Sequence, residues 1–421
     1  MVLPVEFFRV SHDTIATESA FGEHLRLLRQ SLPSNIHRIT IAAPQMAASV
    51  FESRGRYLSE IREDDERIHY VELDPAPSGR VAYLLKYLPR NICMIWRQVG
   101  EADIVHAGPS LIYRPREILA ILFAIARRKK SIFVVDIDWR RSARMNWKTG
   151  RFSLKSYALA ALMYDPAMSL QVRLAVRYCS LVLLKSQKLV DDFGGGRANV
   201  KNFLDAAHSE KHLISSDALA TKIETIKNSR DRVRLVYFGR LTGYKGIDHM
   251  IDVVAKIISN NGPMVSLDII GTGEDLDDLR QRAREAGVQD VVGFRSPVSF
   301  GPDLFRCLMR YDLLLAAPLA ADTPRNALDA MAAGLPVVAY DTEYYADLQR
   351  VSGAVVVVPW LDDDALAAAI VKLHRDRERL AAMTKLAVRF ASRNTQEIWL
   401  ETRGAWTREF CMPPSDLADR D

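Results

Sequence analysis

The chain has 421 residues, more than one hydrophobic core usually supports, and this length predicts two domains. Hydrophobic residues make up 48% and charged residues 26%, as in a soluble globular protein, and no stretch approaches the roughly 18 apolar residues of a membrane-spanning helix. The four cysteines form no Cys-x-x-Cys pair, which argues against a disulfide framework or a zinc site and favours a reducing cytoplasm. The N-terminus lacks the basic start and apolar core of a signal peptide.

The formal net charge of +5 is unevenly distributed. Residues 1–209 hold 30 Lys and Arg against 21 Asp and Glu, and the remainder holds 27 against 31. A basic N-terminal half could face anionic lipid headgroups, a phosphorylated acceptor or nucleic acid, or it could be inert surface charge. No nucleic-acid-binding motif accompanies the charge, so no nucleic-acid partner is expected.

Short apolar runs alternate with helical patterns through the first half of the chain. Strands are predicted at residues 6–10, 36–43, 69–73, 104–106, 131–137 and 181–184. A polar loop is predicted at 11–19, before a helix that begins near residue 20. Strands that alternate with helices predict a parallel sheet with right-handed crossovers.

Two aspartates lie at the end of the strand predicted at 131–137, at the edge where parallel α/β sheets bind ligands. Asp136 and Asp138 could accept hydrogen bonds from sugar hydroxyls or assist proton transfer, so both are candidate catalytic residues. Alternatively, each is a solvated loop carboxylate paired with Arg140 or Arg141.

Two basic runs, Arg127–Lys130 and Arg140–Arg144, are interleaved with Trp139 and Trp147. They could lie on a membrane interface, or they could be an ordinary solvated face. The apolar stretch Leu154–Met163 predicts a helix that either belongs to the core or lines an acceptor groove.

Residues 205–231 are polar without a strong period, so the domain boundary is predicted there. The predicted first domain covers residues 1–205, the linker 206–230 and the second domain 231–390. A helical segment is predicted at 391–412 and a disordered tail at 413–421. Strands of the second domain are predicted at 234–238, 265–270, 290–294, 312–316, 335–340 and 354–358. Helices are predicted between and after them at 247–260, 275–286, 301–309, 326–333, 343–349 and 362–373. This alternation is typical of a doubly wound Rossmann-type domain.

The segment Arg234–Gly246, RLVYFGRLTGYKG, places two cations after a buried strand. Gly239 ends the strand, Arg240 follows it, and Lys245 precedes an amphipathic helix. A planar guanidinium and a compact ammonium at a strand end suit a diphosphate, although a basic loop exposed to solvent is the alternative.

Two further strand ends are candidate ligand contacts. Gly271 and Gly273 could let the backbone approach a ligand closely, because neither has a Cβ atom. The backbone at Arg295 could read the edge of a base.

The segment Ala320–Tyr340 predicts an anion site at a helix start. Asp322 or Thr323 is expected to cap a helix that opens at Pro324. The amides expected to face an anion are those of Arg325, Asn326 and Ala327. Asp329, one turn further on, could accept hydrogen bonds from two vicinal hydroxyls, whereas the alternative for the whole segment is a plain helix start.

Together these motifs resemble the retaining GT-B glycosyltransferases of family four, the group 1 glycosyl transferases. The GRLxxxKG loop of that family is matched by Gly239–Gly246, its GxGP strand end by Gly271–Glu274, and its EAMAxGxPVVA helix by Asp329–Ala339. The resemblance covers residues 231–375 well and the first half in outline. It implies an α/β GT-B fold in which two Rossmann-like, doubly wound domains face each other across a cleft. Residues 1–205 would then form the acceptor side, and the helix at 391–412 would cross back to them.

The resemblance also implies an activity. The chain would transfer a sugar from a nucleotide-diphosphate donor to an acceptor hydroxyl with retention, using no metal or other cofactor because Arg240, Lys245 and helix amides stabilise the diphosphate. Asp329 would hold the nucleotide ribose. The acceptor would be a lipid-linked molecule or a saccharide, and the setting bacterial envelope or exopolysaccharide synthesis at the inner face of the plasma membrane, with peripheral membrane contact.

This sequence departs from the family pattern at several positions. Ala321 stands where a second glutamate is usual, and Asp322, the nearest substitute, is a third candidate catalytic residue. The segment TPRNALD aligns with the TPxKLLE loop of one sub-group of the family. Asn326 of this chain stands where that loop has a lysine. Ser19-Ala20 replaces a glycine pair, and an aspartate at 136 or 138 replaces a strand-end histidine. A sugar-nucleotide epimerase of the same fold and a non-catalytic glycosyltransferase-like subunit are therefore retained as alternatives.

Overall fold

The computed structural model describes residues 1–32, 36–55, 58–76, 78–228, 232–262 and 264–412. They form two compact units. The first unit comprises residues 1–136, 158–203 and the described residues from Leu400 onward, and the second comprises residues 137–157 and 204–399. The tail predicted at 413–421 and the last two residues of the predicted linker, 229–230, lie outside the described residues.

Most of the strands are short and buried. In chain order they are β1 (Phe8–Arg9), β2 (Thr14–Glu18), β3 (Ile39–Gln45), β4 (Leu58–Arg62), β5 (Ile68–Pro75), β6 (Ile104–Ala107), β7 (Lys130–Val135), β8 (Leu181–Leu184), β9 (Val200–Asn202), β10 (Val233–Phe238), β11 (Val265–Ile270), β12 (Val292–Arg295), β13 (Leu313–Ala316), β14 (Val337–Tyr340) and β15 (Val355–Val358).

The helices separate these strands and continue beyond the last one. They are α1 (Ser19–Ser31), α2 (Ala48–Arg54), α3 (Glu63–Glu66), α4 (Arg80–Ala82), α5 (Leu88–Glu101), α6 (Arg116–Ala126), α7 (Trp139–Lys148), α8 (Leu154–Leu159), α9 (Asp165–Tyr178), α10 (Gln187–Phe193), α11 (Ser216–Asn228), α12 (Ile247–Ser259), α13 (Leu276–Glu285), α14 (Pro302–Leu308), α15 (Asn326–Ala332), α16 (Glu343–Ser352), α17 (Asp363–Arg375), α18 (Arg377–Ser392) and α19 (Gln396–Cys411). π-Helical turns at Tyr83–Tyr87 and Ala160–Tyr164 join α4 to α5 and α8 to α9 without a break. Within the described residues, no helix combines the length and apolarity needed to cross a bilayer.

The first unit is built on parallel strands. Strands β6, β7, β8 and β9 pair in that order, and β3 pairs with β5. The first residues of the chain lie between these two sheets, because the Val2 amide donates to the His106 carbonyl at 2.9 Å and the Leu3 amide donates to the Ala42 carbonyl at 3.1 Å. Residues 1–3 therefore pair with β3 and connect this two-stranded sheet to β6 of the four-stranded one.

A separate antiparallel sheet of β1, β2 and β4 contradicts the prediction of an all-parallel first half. The polar loop predicted at 11–19 is wrong, since Thr14–Glu18 is the central strand of this sheet. The sequence TIATE has one large apolar residue, Ile15, and its stability as a strand comes from pairing on both sides and from burial of its middle residues.

The second unit has one parallel sheet in the order β12, β11, β10, β13, β14, β15. Along β10, Leu235 and Tyr237 pack in one apolar cluster and Val236 and Phe238 in another, so both faces of the sheet are covered. The strands and helices predicted from 234 to 373 are confirmed within a few residues at their ends. The strand order reverses between β10 and β13, which defines the switch point of a doubly wound sheet.

The borders of the two units differ from the predicted domain borders. Residues 206–230 are not simply a linker, because they contain α11, whose Ile223 and Ile226 pack in the core of the second unit. Residues 137–157 group with the second unit, where the Arg141 guanidinium lies 3.5 Å from the Glu343 carboxylate. The described residues from Leu400 onward group with the first unit, and burial of Cys411 there shows that they complete its packing.

Candidate functional site

Two loops of the second unit meet at the switch point between β10 and β13. The loop after β10 covers residues 239–246, and the loop after β13 covers residues 317–325. The Leu319 amide donates to the Tyr244 carbonyl at 2.8 Å, which joins the two loops. Doubly wound sheets bind ligands in the crevice at this position, beyond the carboxyl ends of the strands.

Lys245 and Asp322 connect these loops through an ion pair between Nζ and Oδ2. The two side chains are only 15% and 17% exposed, so the pair is largely shielded from water. Gly246 follows with φ of 63°, and a Cβ atom there would lie 1.9 Å from the Ala317 carbonyl oxygen. Glycine at this position therefore allows the loops to approach closely enough for the pair to form.

Arg240 presents its guanidinium at the surface of the same loop. It is exposed, and among the described residues it has no side-chain hydrogen bond or ion pair. Its backbone is held because the Tyr237 hydroxyl donates to the Arg240 carbonyl at 3.0 Å. Burial raises the pKa of Tyr237 above its ordinary value, so the phenol remains protonated as this donor. The predicted cation is thus exposed on a fixed backbone.

The predicted glycines allow two loops to pack closely, and their approach to a ligand remains a prediction. A Cβ atom at Gly271 would lie 2.0 Å from the Gly239 carbonyl oxygen, and one at Gly273 would lie 2.0 Å from the Leu241 carbonyl oxygen. The Leu241 amide also donates to the Thr272 carbonyl at 3.0 Å. These glycines let the loop after β11 pack against the loop after β10, and this packing supports the backbone that carries the cation.

The start of α15 differs from its prediction. The helix begins at Asn326 with Arg325 in the capping position, and no side chain caps it. The predicted cap by Asp322 or Thr323 at Pro324 is therefore wrong. The Asp322 carboxylate is engaged elsewhere, since it accepts from the Thr323 amide at 2.9 Å in addition to its pairing with the lysine.

Asn326 ties the first turn of α15 to the end of β10. Its Nδ2 donates to the Phe238 carbonyl at 2.8 Å, beside Gly239. Its Oδ1 is buried and has no partner among the described residues, which leaves an acceptor available to a ligand donor. No acceptor for the Asn326 or Ala327 backbone N–H is found in the described part of the chain. The first amides of any helix lack an intrahelical acceptor, so their contact with an anion remains a prediction. Arg325 is half-buried beside them.

Asp329 is buried at 5% exposure and is hydrogen-bonded to His208, a residue that no sequence motif indicates. Its Oδ1 accepts from the His208 amide at 3.0 Å and lies 3.6 Å from His208 Nδ1. His208 Nε2 lies 2.9 Å from the Ala391 carbonyl and donates to it, which identifies the protonated nitrogen. The position of Asp329 is therefore fixed from outside its own helix, and its contact with a ribose remains a prediction.

Arg295, at the end of β12, is held by contacts of its side chain and of its backbone carbonyl. Its Nε lies 2.9 Å from the Asp268 carboxylate, and its carbonyl accepts from the Gly271 amide at 3.1 Å. The Tyr311 hydroxyl donates to the same carboxylate at 2.7 Å. The Arg295 carbonyl therefore already has one donor, and reading of a base edge at this position remains a prediction.

The two aspartates after β7 have different environments. Asp138 is the N-cap of α7, where it accepts from the Arg140 amide at 3.1 Å and pairs with the Arg140 guanidinium at 2.5 Å. This is the pairing given above as its alternative role, although Asp138 is buried rather than solvated. Asp136 is exposed and belongs to the first unit, whereas Asp138 belongs to the second. Catalytic roles for both remain predictions.

Arg151 is a further cation at the loop after β10, which sequence reasoning missed. A Cβ atom at Gly243 would lie 3.4 Å from both Arg151 Nη2 and the Asp275 carboxylate. Burial lowers the pKa of Arg151, while Asp248 and Asp275 act in the opposite direction. No local pattern indicates this residue, because it is far from the loop in sequence.

The second unit accounts for the similarity to a known family. Residues 215–389 match the family described as "Glycosyl transferases group 1". This segment belongs to that family. The candidate residues from Gly239 to Asp329 all lie within the group 1 glycosyl transferase segment, whereas Asp136 and Asp138 lie outside it.

Curated relatives share short segments with this chain. The GtfA subunit of the UDP-N-acetylglucosamine–peptide N-acetylglucosaminyltransferase of Streptococcus gordonii is 29% identical over 118 residues, which is 28% of this chain and 22% of that protein. The lipopolysaccharide core biosynthesis mannosyltransferase LpsB of Rhizobium meliloti (strain 1021) is 29% identical over 166 residues, 37% of this chain and 46% of that protein. The aligned segments thus span less than half of either relative.

Solved structures extend the similarity to the whole chain at the level of fold. The crystal structure of HepE from Anabaena, in complex with UDP, has a TM-score of 0.61 and covers 97% of this chain and all of its own, at 18% identity. The chain has the GT-B fold of group 1 glycosyl transferases.

Proposed function

We propose that the chain is a retaining glycosyltransferase that uses a nucleotide-diphosphate sugar as donor. The observation that carries the proposal is the contact of Lys245 with Asp322 across the switch point, with Arg240 exposed on the same loop. Two cations at one strand end could neutralise a diphosphate, and the proposal is supported by the UDP complex of HepE, which has a similar fold. Retention is what the resemblance to the family implies.

In the proposed reaction, the bond between the anomeric carbon and the donor phosphate oxygen breaks, and a bond forms between that carbon and the acceptor oxygen. The acceptor hydroxyl proton passes to the departing diphosphate. Arg240 and Lys245 stabilise the negative charge on the diphosphate and could do so without a resident metal. Asp329 would hold the ribose, and Asp322 would contact the donor sugar in place of the glutamate that Ala321 replaces.

For the acceptor we propose a lipid-linked molecule or a saccharide, in bacterial envelope or exopolysaccharide assembly with peripheral membrane contact. The lipopolysaccharide role in the name of LpsB supports this setting. The positive charge of residues 1–209 supports an anionic acceptor or surface for the first unit.

A donor panel tests the activity. The full-length chain is incubated with uridine, guanosine, adenosine and thymidine diphosphate sugars, and released nucleotide and sugar products are measured. Release of nucleoside diphosphate that falls at least tenfold in Arg240→Ala, but not in Arg306→Ala, supports the proposal. Arg306 is a suitable control because it is an exposed arginine of the same unit, paired with Asp303. An epimerised donor would favour the epimerase, and no reaction with any donor would favour the non-catalytic subunit.

A further inference from the structure

A continuous helix from residue 80 to residue 101 carries apolar side chains on its solvent side. It consists of α4, the π-helical turn and α5. We define its exposed apolar residues as the apolar stripe: Val81, Leu84, Leu85, Ile92 and Trp96. Val81 is 70% exposed and Leu85 is 77% exposed, which is unusual for large apolar side chains that have no covering element.

The opposite side of this helix is fixed to the core of the first unit. Tyr83, Ile95 and Val99 are buried, and Asn91 Nδ2 donates to the Asp74 carboxylate at 3.0 Å. The helix therefore has a structural face that accounts for its folding. The apolar stripe lies outside this face, so folding of the unit does not explain its composition.

A row of cations accompanies the apolar stripe. Arg80, Lys86, Arg90 and Arg97 lie on the same helix and are exposed, and the one acidic residue among residues 80–101 is Glu101, which pairs with Arg97 at 3.0 Å. Apolar and aromatic side chains beside Lys and Arg are typical of helices that lie in the plane of a membrane interface. At 1.5 Å per residue the helix is about 33 Å long, enough to present the whole row to one flat surface.

Neighbouring segments add to the exposed apolar surface. Leu111 and Ile112 are exposed in the loop after β6, and Leu162 is 77% exposed in the helix from 154 to 178. Tyr113 connects these segments to the cation row, since its ring lies 4.9 Å from the Arg80 guanidinium and 6.4 Å from the Tyr164 ring. The stretch around Leu162 is therefore not core. The helix from 80 follows β5, so its first turn begins near the ligand-binding edge of the first unit.

We propose that the first unit docks on an anionic lipid bilayer through the apolar stripe and its cation row. The inference rests on the membrane contact proposed above and assigns it to the apolar stripe rather than to the second basic run. Arg127 of the first run lies over the Trp96 ring at 3.9 Å, so this run borders the stripe, whereas Arg140 and Arg141 of the second run are paired with Asp138 and Glu343. Exposed apolar tips enter the boundary between headgroups and acyl chains, while the cations contact anionic headgroups.

The test is flotation of the full-length chain with vesicles of phosphatidylglycerol and phosphatidylcholine, and with vesicles of phosphatidylcholine alone, at low and high salt. The stripe variant is Leu84→Glu with Leu85→Glu. The matched control is Met264→Glu with Val351→Glu, which places the same charges at exposed apolar positions of the second unit. Both variants should keep the thermal unfolding midpoint of the native chain, because all four side chains are exposed.

The native chain and the control should float with anionic vesicles at low salt and less so at high salt, whereas the stripe variant should lose binding at least tenfold. Lys86→Ala with Arg90→Ala should weaken binding and reduce its salt dependence. Flotation of the stripe variant like the native chain overturns the assignment of the surface but leaves membrane contact standing. If the native chain does not float under any condition, both the assignment of the surface and the membrane contact are overturned. The same conclusion follows if the chain forms a dimer without lipid and the stripe variant abolishes that dimer. Donor turnover measured without vesicles tests glycosyl transfer separately.

Discussion

The ion pair between Lys245 and Asp322 makes a specific prediction about nucleotide binding. A diphosphate that binds Lys245 must compete with the Asp322 carboxylate, which already holds it. Lys245→Ala removes a charge-assisted contact to the diphosphate. Asp322→Asn keeps the size of the side chain but removes the competing charge, so the two substitutions should affect free nucleotide in different ways.

The expected changes in nucleotide affinity follow from the low exposure of the two charges, which keeps their attraction strong. Two unit charges about 3 Å apart at an effective dielectric constant of about 20 attract by about 5 kcal/mol before desolvation is subtracted. A hydrogen bond to a charged group contributes about 1.5–3 kcal/mol, so Lys245→Ala should weaken diphosphate binding by roughly 10- to 150-fold. Asp322→Asn should leave the affinity for free UDP unchanged or raise it by up to about tenfold, since Lys245 no longer has to leave a carboxylate.

Isothermal titration calorimetry with UDP, GDP and ADP measures these changes, and titration with the matching nucleotide sugar measures the sugar contact. If Asp322 also contacts the donor sugar, Asp322→Asn should lower the affinity for the nucleotide sugar relative to the free nucleotide. Lys256→Ala is the control, because Lys256 lies on α12 and is paired with Asp364 at 2.7 Å. Equal weakening of free nucleotide by Lys245→Ala and Asp322→Asn would refute competition and indicate that Asp322 positions the lysine.

Three further predictions concern stability. Gly271→Ala should lower the free energy of unfolding by about 2 kcal/mol or more, because the new Cβ atom would lie 2.0 Å from a carbonyl oxygen. The control is Gly79→Ala, where no atom lies within 4 Å of the new Cβ atom and the change should be less than about 1 kcal/mol. Urea unfolding measures both values. Lys222→Met should cost about 3 kcal/mol, because Nζ donates to three backbone carbonyls, while Lys227→Met on the same helix breaks only a half-exposed pair and should cost less than about 1 kcal/mol. Burial raises the pKa of Glu117 from 4.5 to about 7, so the free energy of unfolding of the native chain should fall as pH rises through this range. The variant Glu117→Gln should be more stable than the native chain by about 3 kcal/mol at pH 8 but not at pH 4. Thermal melts of both proteins at the two pH values measure the difference.

The sequence predicts the second unit well because its strands are buried on both faces. Leu235–Phe238 reads as a continuous apolar run, and the helices between such runs have a clear period. Strand β2 lacks these signals, since it has one large apolar residue and its pairing on both sides is a tertiary contact. Helix α11 has a short apolar period at Leu219, Ile223 and Ile226, but it also buries Lys222, whose Nζ donates to backbone carbonyls. The polar composition around these few apolar residues therefore reads as a linker although the helix belongs to the core.

The candidate site was predictable where one motif holds its residues together. Gly239, Arg240 and Lys245 lie in a single loop, so their proximity follows from the sequence. The pairing of Lys245 with Asp322 joins residues 77 positions apart and depends on where two loops end. His208 and Arg151 reach the site from segments with no recognisable pattern, so only the fold identifies them.

The division of the chain between the two units sets an order for folding during synthesis. The first unit takes its last stretch from Leu400 onward, and residues 204–399 of the second unit come before it. Until that stretch leaves the ribosome, the first unit lacks the side chains of Leu400 and Cys411, which are buried in the finished structure. Domains generally fold in the order in which they are synthesised. In this chain we expect the second unit, whose residues end at 399, to complete its core before the first unit does.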